Sequence, residues 1–310
     1  MILEVKNLIK RYGDFLALDH INFHIKEGEI FGLLGPNGAG KTTTISILSG
    51  LTMYDGGEVE FLGKEIKRNE MEVKQELGIV PQDIALFEDL TAHENLDYFG
   101  RLYGLRGKLL RERIDEALEF TGLMDKRKDF PKGFSGGMKR RLNIACAILH
   151  HPKLIIMDEP TVGIDPQSRN HILQSIKKLN EMGSTIIYTS HYMEEIEEIC
   201  TRIAIVDQGR VIAQGTKEEL KSLVSDEEKL VIELEAVNYT IVENVKTISS
   251  IRECVMKGNR LEVIGKKDEQ NVSKIIKLLS DENIEILSLN VEKPSLESVF
   301  LTLTGRTLRD

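Results

Sequence analysis

The sequence predicts an α/β core on a largely parallel sheet, a helical segment inserted into that core, and a small α+β domain behind it. Three observations carry this reading. The apolar runs in KLIIMDEP (153–160), STIIYTSH (184–191) and RIAIVDQGRVIAQG (202–215) are short and separated by helical lengths, the pattern of strands covered on both faces. Glycine-rich loops alternate with apolar runs up to about residue 220, beyond which glycine is scarce. Between roughly residues 91 and 150 the spacing turns helical, as in LLRERIDEALEFTGL, with no strand signal. The expected organisation is a first domain over 1–220, with its helical part over about 91–150, and a C-terminal domain over 226–310.

Taken in order, LEVKNLIKRY alternates like a strand, and INFHIKEGEIFGLLG runs its apolar end straight into glycines. There GPNGAGKT, Gly35 to Thr42, fits the phosphate-binding pattern GxxxxGK[ST], with TTISILSGL after it as a helix. Glycines let backbone N–H groups turn inward around phosphate oxygens, and the helix N-terminus adds a favourable dipole. Gly35, Pro36, Asn37, Gly38, Ala39, Gly40, Lys41, Thr42 and Thr43 are therefore the candidate set for a nucleoside triphosphate. Lys41 is suited to the β- and γ-phosphates and the Thr42 hydroxyl to Mg²⁺. LIIMDEP supplies the second half of such a site. Its apolar run ends in Asp158, a carboxylate for Mg²⁺ at the end of a strand, with Glu159 next as the candidate general base and Pro160 halting the strand. An Asp-Glu pair is more commonly a solvated turn; the apolar run that ends at this one favours the site.

After residue 225 the order is strand KLVIELEA, helix YTIVENVKTI, strands SIRECVMK and RLEVIGK around Gly258-Asn259, helix DEQNVSKIIKLLS and strand IEILSLNV. This βαββαβ order fits a ferredoxin-like sandwich, an irregular α+β appendage being the plainer alternative.

Composition excludes several classes. With 41 Lys+Arg against 50 Asp+Glu the formal charge is −9, which argues against nucleic acid as partner. Hydrophobic residues at 41% and charged residues at 29% suit a folded chain with a full core. The longest unbroken apolar run, Ile144 to Leu149, is six residues, against about 20 for a membrane-spanning helix. The first residues lack the basic-then-apolar order of a secretory signal, so a cytosolic chain is expected. Cys146, Cys200 and Cys254 lie far apart with no CxxC, and the adjacent His150 and His151 point apart on a helix, so neither set reads as a metal centre.

FSGGMKRRLNIACAILHHP, from Phe134, resembles the LSGGQ signature of ABC-type ATPases. With GPNGAGKT, Gln82 in VPQD, LIIMDEP, VGIDP at 162–166 and His191 in TSHYMEE, the order and spacing closely resemble an ABC nucleotide-binding domain over about residues 1 to 220. The resemblance implies a RecA-like core with an antiparallel β subdomain and a helical subdomain. It implies that Ser135, Gly136 and Gly137 face the γ-phosphate held by a second subunit, so that two domains sandwich two ATP. It implies Gln82 as a Mg²⁺ ligand on the loop that senses a membrane partner, His191 as a switch donor to the γ-phosphate that helps align water, and Asp165 in the loop crossing between subunits. Tyr12, flanked by Arg11 and Gly13 in an expected loop, is the candidate adenine platform. Phe134 and Met138 stand where the signature has Leu and Gln, outside the Ser-Gly-Gly backbone. Seven basic residues between Lys126 and Arg141 favour a triphosphate nearby, though a solvated helix face accounts for most of them.

The tail PSLESVFLTLTG (294–305) and the variant SGGMKRR look like ATPases of ABC-2-type exporters, a group including drug-resistance and sodium-export systems. That likeness implies an integral membrane permease on a separate chain, a homodimer of ATPase domains, and a peripheral place on the inner face of the membrane. The alternative is a soluble ABC-type ATPase acting on ribosomes or DNA. The 92 residues between Lys41 and Phe134 leave no room for the long coiled coil of a DNA-end machine beside the helical insert, and ribosome-associated members join two cassettes where this chain has one. A generic P-loop GTPase or kinase leaves the signature unexplained.

Overall fold

The computed structural model describes residues 1–67, 70–190, 192–223, 227–235, 240–266, 269–292 and 295–305. The chain divides into two compact units, Met1–Lys217 with the stretch from Leu303, and Glu218–Thr302.

The first unit opens with β1 (Leu3–Tyr12), β2 (Phe15–Ile25), β3 (Ile30–Leu34), α1 (Lys41–Leu48), β4 (Gly56–Phe61), β5 (Lys64–Glu65), α2 (Glu70–Gln75) and β6 (Leu77–Val80). The helical insert follows as α3 (Ala92–Leu102), α4 (Gly107–Phe120) and α5 (Gly136–Ile148). The chain then returns through β7 (Leu154–Met157), α6 (Pro166–Glu181), β8 (Thr185–Tyr188), α7 (Met193–Ile199), β9 (Arg202–Asp207) and β10 (Arg210–Gly215), and α8 (Lys217–Ser222) begins at the boundary and belongs to the second unit from Glu218 on.

An antiparallel sheet runs β2-β1-β4-β5, and a second sheet runs β10-β9-β3-β8-β7-β6. In the second, β9, β3, β8, β7 and β6 are parallel, with β10 antiparallel on the edge. Every residue of β3, β7 and β8 is buried, which is why these runs are apolar without alternation. The two sheets share one core: Leu3, Leu18, Phe23 and Val59 of the first join Phe31, Leu33, Ile156 and Ile187 of the second, with Phe23 stacked on Phe31 at 5.4 Å between ring centroids. This is the antiparallel β subdomain packed on a RecA-like core.

The insert starts from a capping box: Thr91 Oγ1 accepts from the Glu94 N–H at 3.2 Å while Glu94 Oε2 accepts from the Thr91 N–H at 2.8 Å, satisfying donors that a helix start leaves open.

The second unit holds β11 (Glu227–Leu234), α9 (Thr240–Lys246), β12 (Ile251–Lys257), β13 (Arg260–Lys266), α10 (Glu269–Asp281) and β14 (Ile286–Glu292), and the chain continues into α11 (Leu296–Thr304). Its sheet runs β12-β13-β11-β14 with every neighbour antiparallel. With the βαββαβ order this is the ferredoxin-like arrangement. Leu230, Ile232, Ile241, Val263, Ile275 and Leu279 belong to its own core. Gly258, at φ 61°, turns the β12–β13 hairpin.

Candidate nucleotide site

The phosphate-binding loop leaves β3 at the carboxyl end of the parallel sheet. A side chain at Gly35 would overlap the Val206 carbonyl oxygen of β9, so only glycine lets the loop pass that strand. Gly40 takes φ 106° as the N-cap of α1, and no side chain caps that helix among the described residues. The first-turn N–H groups of α1 are therefore donors for an anion. Lys41, only 6% exposed, donates from Nζ to the carbonyls of Gly35 at 2.6 Å and Pro36 at 3.1 Å. Burial pushes its pKa down, and the carboxylates of Glu159 and Asp158 push back.

A cleft of about 280 Å³ is lined by Tyr12, Phe15, Ala17, Asn37, Gly38, Ala39, Gly40, Lys41, Thr42, Thr43, Gln82 and Glu159. Gly35 and Pro36 support it from behind through their carbonyls to Lys41. Tyr12 is the last residue of β1 rather than part of a loop: Gly13, at φ 58°, makes the turn, and Tyr12 pairs with Phe15 across the hairpin. Both rings are half-exposed or more at the cleft edge. Phe15 and Ala17 were not among the sequence candidates; the signal for Phe15 was an aromatic directly across a two-residue turn from Tyr12.

The carboxylates stand at the end of β7, one strand removed from β3. Thr189, just past β8, bridges them: its Oγ1 donates to Asp158 Oδ1 at 2.7 Å and accepts from the Glu159 N–H at 2.9 Å. Gln82 Nε2 donates to Glu159 Oε2 at 3.1 Å. Glu159 holds φ 46°, a left-handed conformation that a non-glycine residue keeps only where its surroundings enforce it. Thr42, Gln82, Asp158 and Glu159 present oxygen donors alone, a set suited to a hard cation such as Mg²⁺.

Gln82 rides on an irregular segment held by three buried side chains that sequence reasoning missed. Arg140 of α5 donates to the carbonyls of Pro81 and Gln82, Asn143 Oδ1 accepts from the Ala85 N–H at 3.0 Å, and Asn95 bonds both backbone groups of Phe87. Arg140 is thus a buried tether rather than part of a solvated basic face. Lys126, Arg127 and Lys139 pair locally with Asp129, Asp115 and Glu88.

In the signature, Ser135 caps α5, accepting from the Met138 N–H at 3.3 Å. Ser135 and Gly136 are exposed, Gly137 is packed against Ser168 of α6, and none of the three lines the phosphate-loop cleft of their own chain. Asp165 caps α6 through the Ser168 N–H at 2.9 Å. His191 lies outside the described residues. Among the described residues no cluster of His, Cys, Asp and Glu could hold a metal by itself.

A phosphate loop after β3, paired carboxylates after β7 and a second glycine-rich helix start outside the cleft define an ATP-hydrolysing domain of the ABC type. The ABC transporter family profile matches residues 18–162. The linearmycin resistance ATP-binding protein LnrL of Bacillus subtilis (strain 168) is 47% identical over 311 residues, covering all of both chains. The daunorubicin resistance ATP-binding protein DrrA2 of Streptomyces coeruleorubidus is 37% identical, over 96% of this chain and 92% of its own. An ATP-binding cassette solved as a dimer in a post-hydrolysis state with ADP and Pi superposes at TM-score 0.63 and 29% identity, over 69% of this chain and 98% of its own. The chain belongs to the ABC transporter family, as an ATP-binding and ATP-hydrolysing subunit.

Proposed function

We propose that the chain drives export through an integral membrane permease carried on a separate chain, working as a homodimer that closes on two Mg·ATP. The observation that carries this reading is the separation of the two phosphate-facing elements: the cleft holds Lys41, Thr42, Gln82 and Glu159, while Ser135 and Gly136 stand exposed outside it. A second copy completes the site by laying its signature across the γ-phosphate. In this reading Tyr12 stacks on the adenine, the N–H groups of Gly38 to Thr43 and the Lys41 ammonium hold the phosphates, and Thr42, Gln82 and Asp158 hold Mg²⁺. Mg²⁺ bound there neutralises charge on the β- and γ-phosphates. Glu159 polarises the attacking water, with His191 as a donor to the γ-phosphate. Export is supported by full-length relatives named for drug resistance and for Nod factor export. No helix among the described residues is long and apolar enough to cross a membrane; the permease places the subunit on the inner face of the cell membrane.

Glu159→Gln tests the core of this reading. It is expected to keep ATP binding, to lose hydrolysis by about 10²- to 10⁴-fold, the usual weight of a general base, and to accumulate as a dimer in ATP on size-exclusion chromatography. Unchanged turnover rejects Glu159 as base, and a monomer at all nucleotide concentrations rejects the sandwich. Affinity purification from solubilised membranes tests the partner: a polytopic protein is expected, and recovery with ribosomes or DNA instead sinks the export reading.

A further inference from the structure

We propose that Glu195, on α7, is a positioning residue for hydrolysis: it ties the chain leaving β7 to the chain leaving β8 and so holds Glu159 in its left-handed backbone. The inference rests on the reading of Glu159 as the base.

Glu195 is 2% exposed. Its Oε2 accepts three hydroxyls at once, from Thr161 Oγ1 at 2.8 Å, Tyr188 OH at 2.8 Å and Ser190 Oγ at 2.5 Å. Arg169 Nε stands 3.9 Å from Oε1, beyond hydrogen-bond range. Three hydroxyls thus converge on one oxygen, which serves all of them as acceptor. A buried acidic side chain whose one cation among the described residues, Arg169, stands at the limit of an ion pair is a poor device for stability alone, and these partners are placed for something more local. Thr161 follows Glu159 by two residues, and the Val162 N–H donates to the Glu159 carbonyl at 3.2 Å. Tyr188 and Ser190 flank Thr189, whose hydroxyl bonds Asp158 and the Glu159 N–H. Ser190 Oγ also accepts from the Tyr192 N–H at 3.0 Å. Side chains alternate along the end of β8, so Thr189 fixes Glu159 from one side while Tyr188 and Ser190 fix the same strand end to Glu195. The strained φ of Glu159 is then enforced at its own N–H and, through Thr161, on the chain just beyond it. Glu195 does not line the cleft, so its effect falls on turnover and not on nucleotide contact.

The test separates turnover from binding. In Glu195→Ala, kcat for ATP is expected to fall at least about tenfold, a loss of about 1.4 kcal/mol in transition-state stabilisation, while ATP affinity by calorimetry stays within about twofold. Glu195→Gln, which can keep an amide oxygen under the three hydroxyls, is expected to recover kcat to within about threefold of wild type. Should Glu195→Ala not fold, Thr161→Val and Ser190→Ala each remove one donor and are expected to lower kcat about three- to tenfold at unchanged affinity. Wild-type kcat in Glu195→Ala, or affinity lost in step with kcat, overturns the proposal. Glu159→Gln run in parallel distinguishes the failures. An inert Glu159→Gln beside a fully active Glu195→Ala sinks this inference alone, and an active Glu159→Gln removes the base reading beneath it.

Discussion

At the scale of single residues, Lys41 is the buried cation of the proposed phosphate site. Its ammonium is buried against two carbonyls and depressed in pKa by desolvation, with Asp158 and Glu159 opposing that shift. A γ-phosphate adds negative charge and favours the ammonium further. Lys41→Ala is expected to weaken ATP binding by about 10- to 150-fold, the equivalent of about 1.5–3 kcal/mol for a hydrogen bond to a charged group; calorimetry showing full retention removes the lysine from the phosphate site. That Lys41, Thr42 and Glu159 belong to one cleft was legible from contiguous motifs, and Gln82 joined them through the family resemblance. Thr189, Arg140 and Glu195 were not legible, because what identifies them is a partner distant in sequence: Thr189 meets Asp158 across 31 positions, Arg140 meets Gln82 across 58, and Glu195 meets Thr161 across 34.

At the scale of elements, the start of α5 divides packing from contact between adjacent glycines. A side chain at Gly137 would overlap Ser168 Oγ and Cβ on α6, whereas at Gly136 the nearest atom is Ile164 Cδ1 at 3.6 Å. Gly137→Ala is therefore expected to cost about 1–3 kcal/mol through overpacking, read as a lowered melting temperature, and Gly136→Ala to melt no lower than wild type, since alanine is the better helix former. If Gly136→Ala nevertheless loses ATPase activity, that loss reports the exposed face of the signature. Similar melting temperatures for the two variants refute the packing assignment. Which strands could be read in advance follows from the same distinction between buried and half-buried faces. β3, β7 and β8 are covered on both sides and announce themselves as unbroken apolar runs. β4 buries only Val59 and Phe61 among polar neighbours, and β5 is two residues long, so neither carries a periodic signal. The β1–β2 turn was misjudged because Arg11 and Gly13 suggest a loop around Tyr12, while the pairing that makes Tyr12 part of a strand comes from Phe15 on the other side of the turn.

At the scale of the whole molecule, the two cores share no residue, and every residue lining the cleft falls between Tyr12 and Glu159. No residue of the segment expected as an accessory domain, 226–310, lines that cleft, and we propose for it a bracing or regulatory role in the dimer. Removing 226–310 is expected to leave ATP affinity within about twofold of the full chain, since no phosphate, metal or adenine contact is lost. In the Glu159→Gln background, where ATP holds the dimer closed, the same truncation is expected to raise the dimer dissociation constant about tenfold, roughly 1.4 kcal/mol of interface free energy, measured by light scattering over a concentration series. Retained ATP affinity with weakened dimerisation places the domain at the subunit interface. Retained affinity with unchanged dimerisation and turnover rejects the bracing role. Lost affinity accompanied by a lowered melting temperature means that residues of the tail belong to the fold of the first unit, to which the stretch from Leu303 is assigned, and a shorter internal deletion that spares α11 then separates that structural debt from the bracing itself.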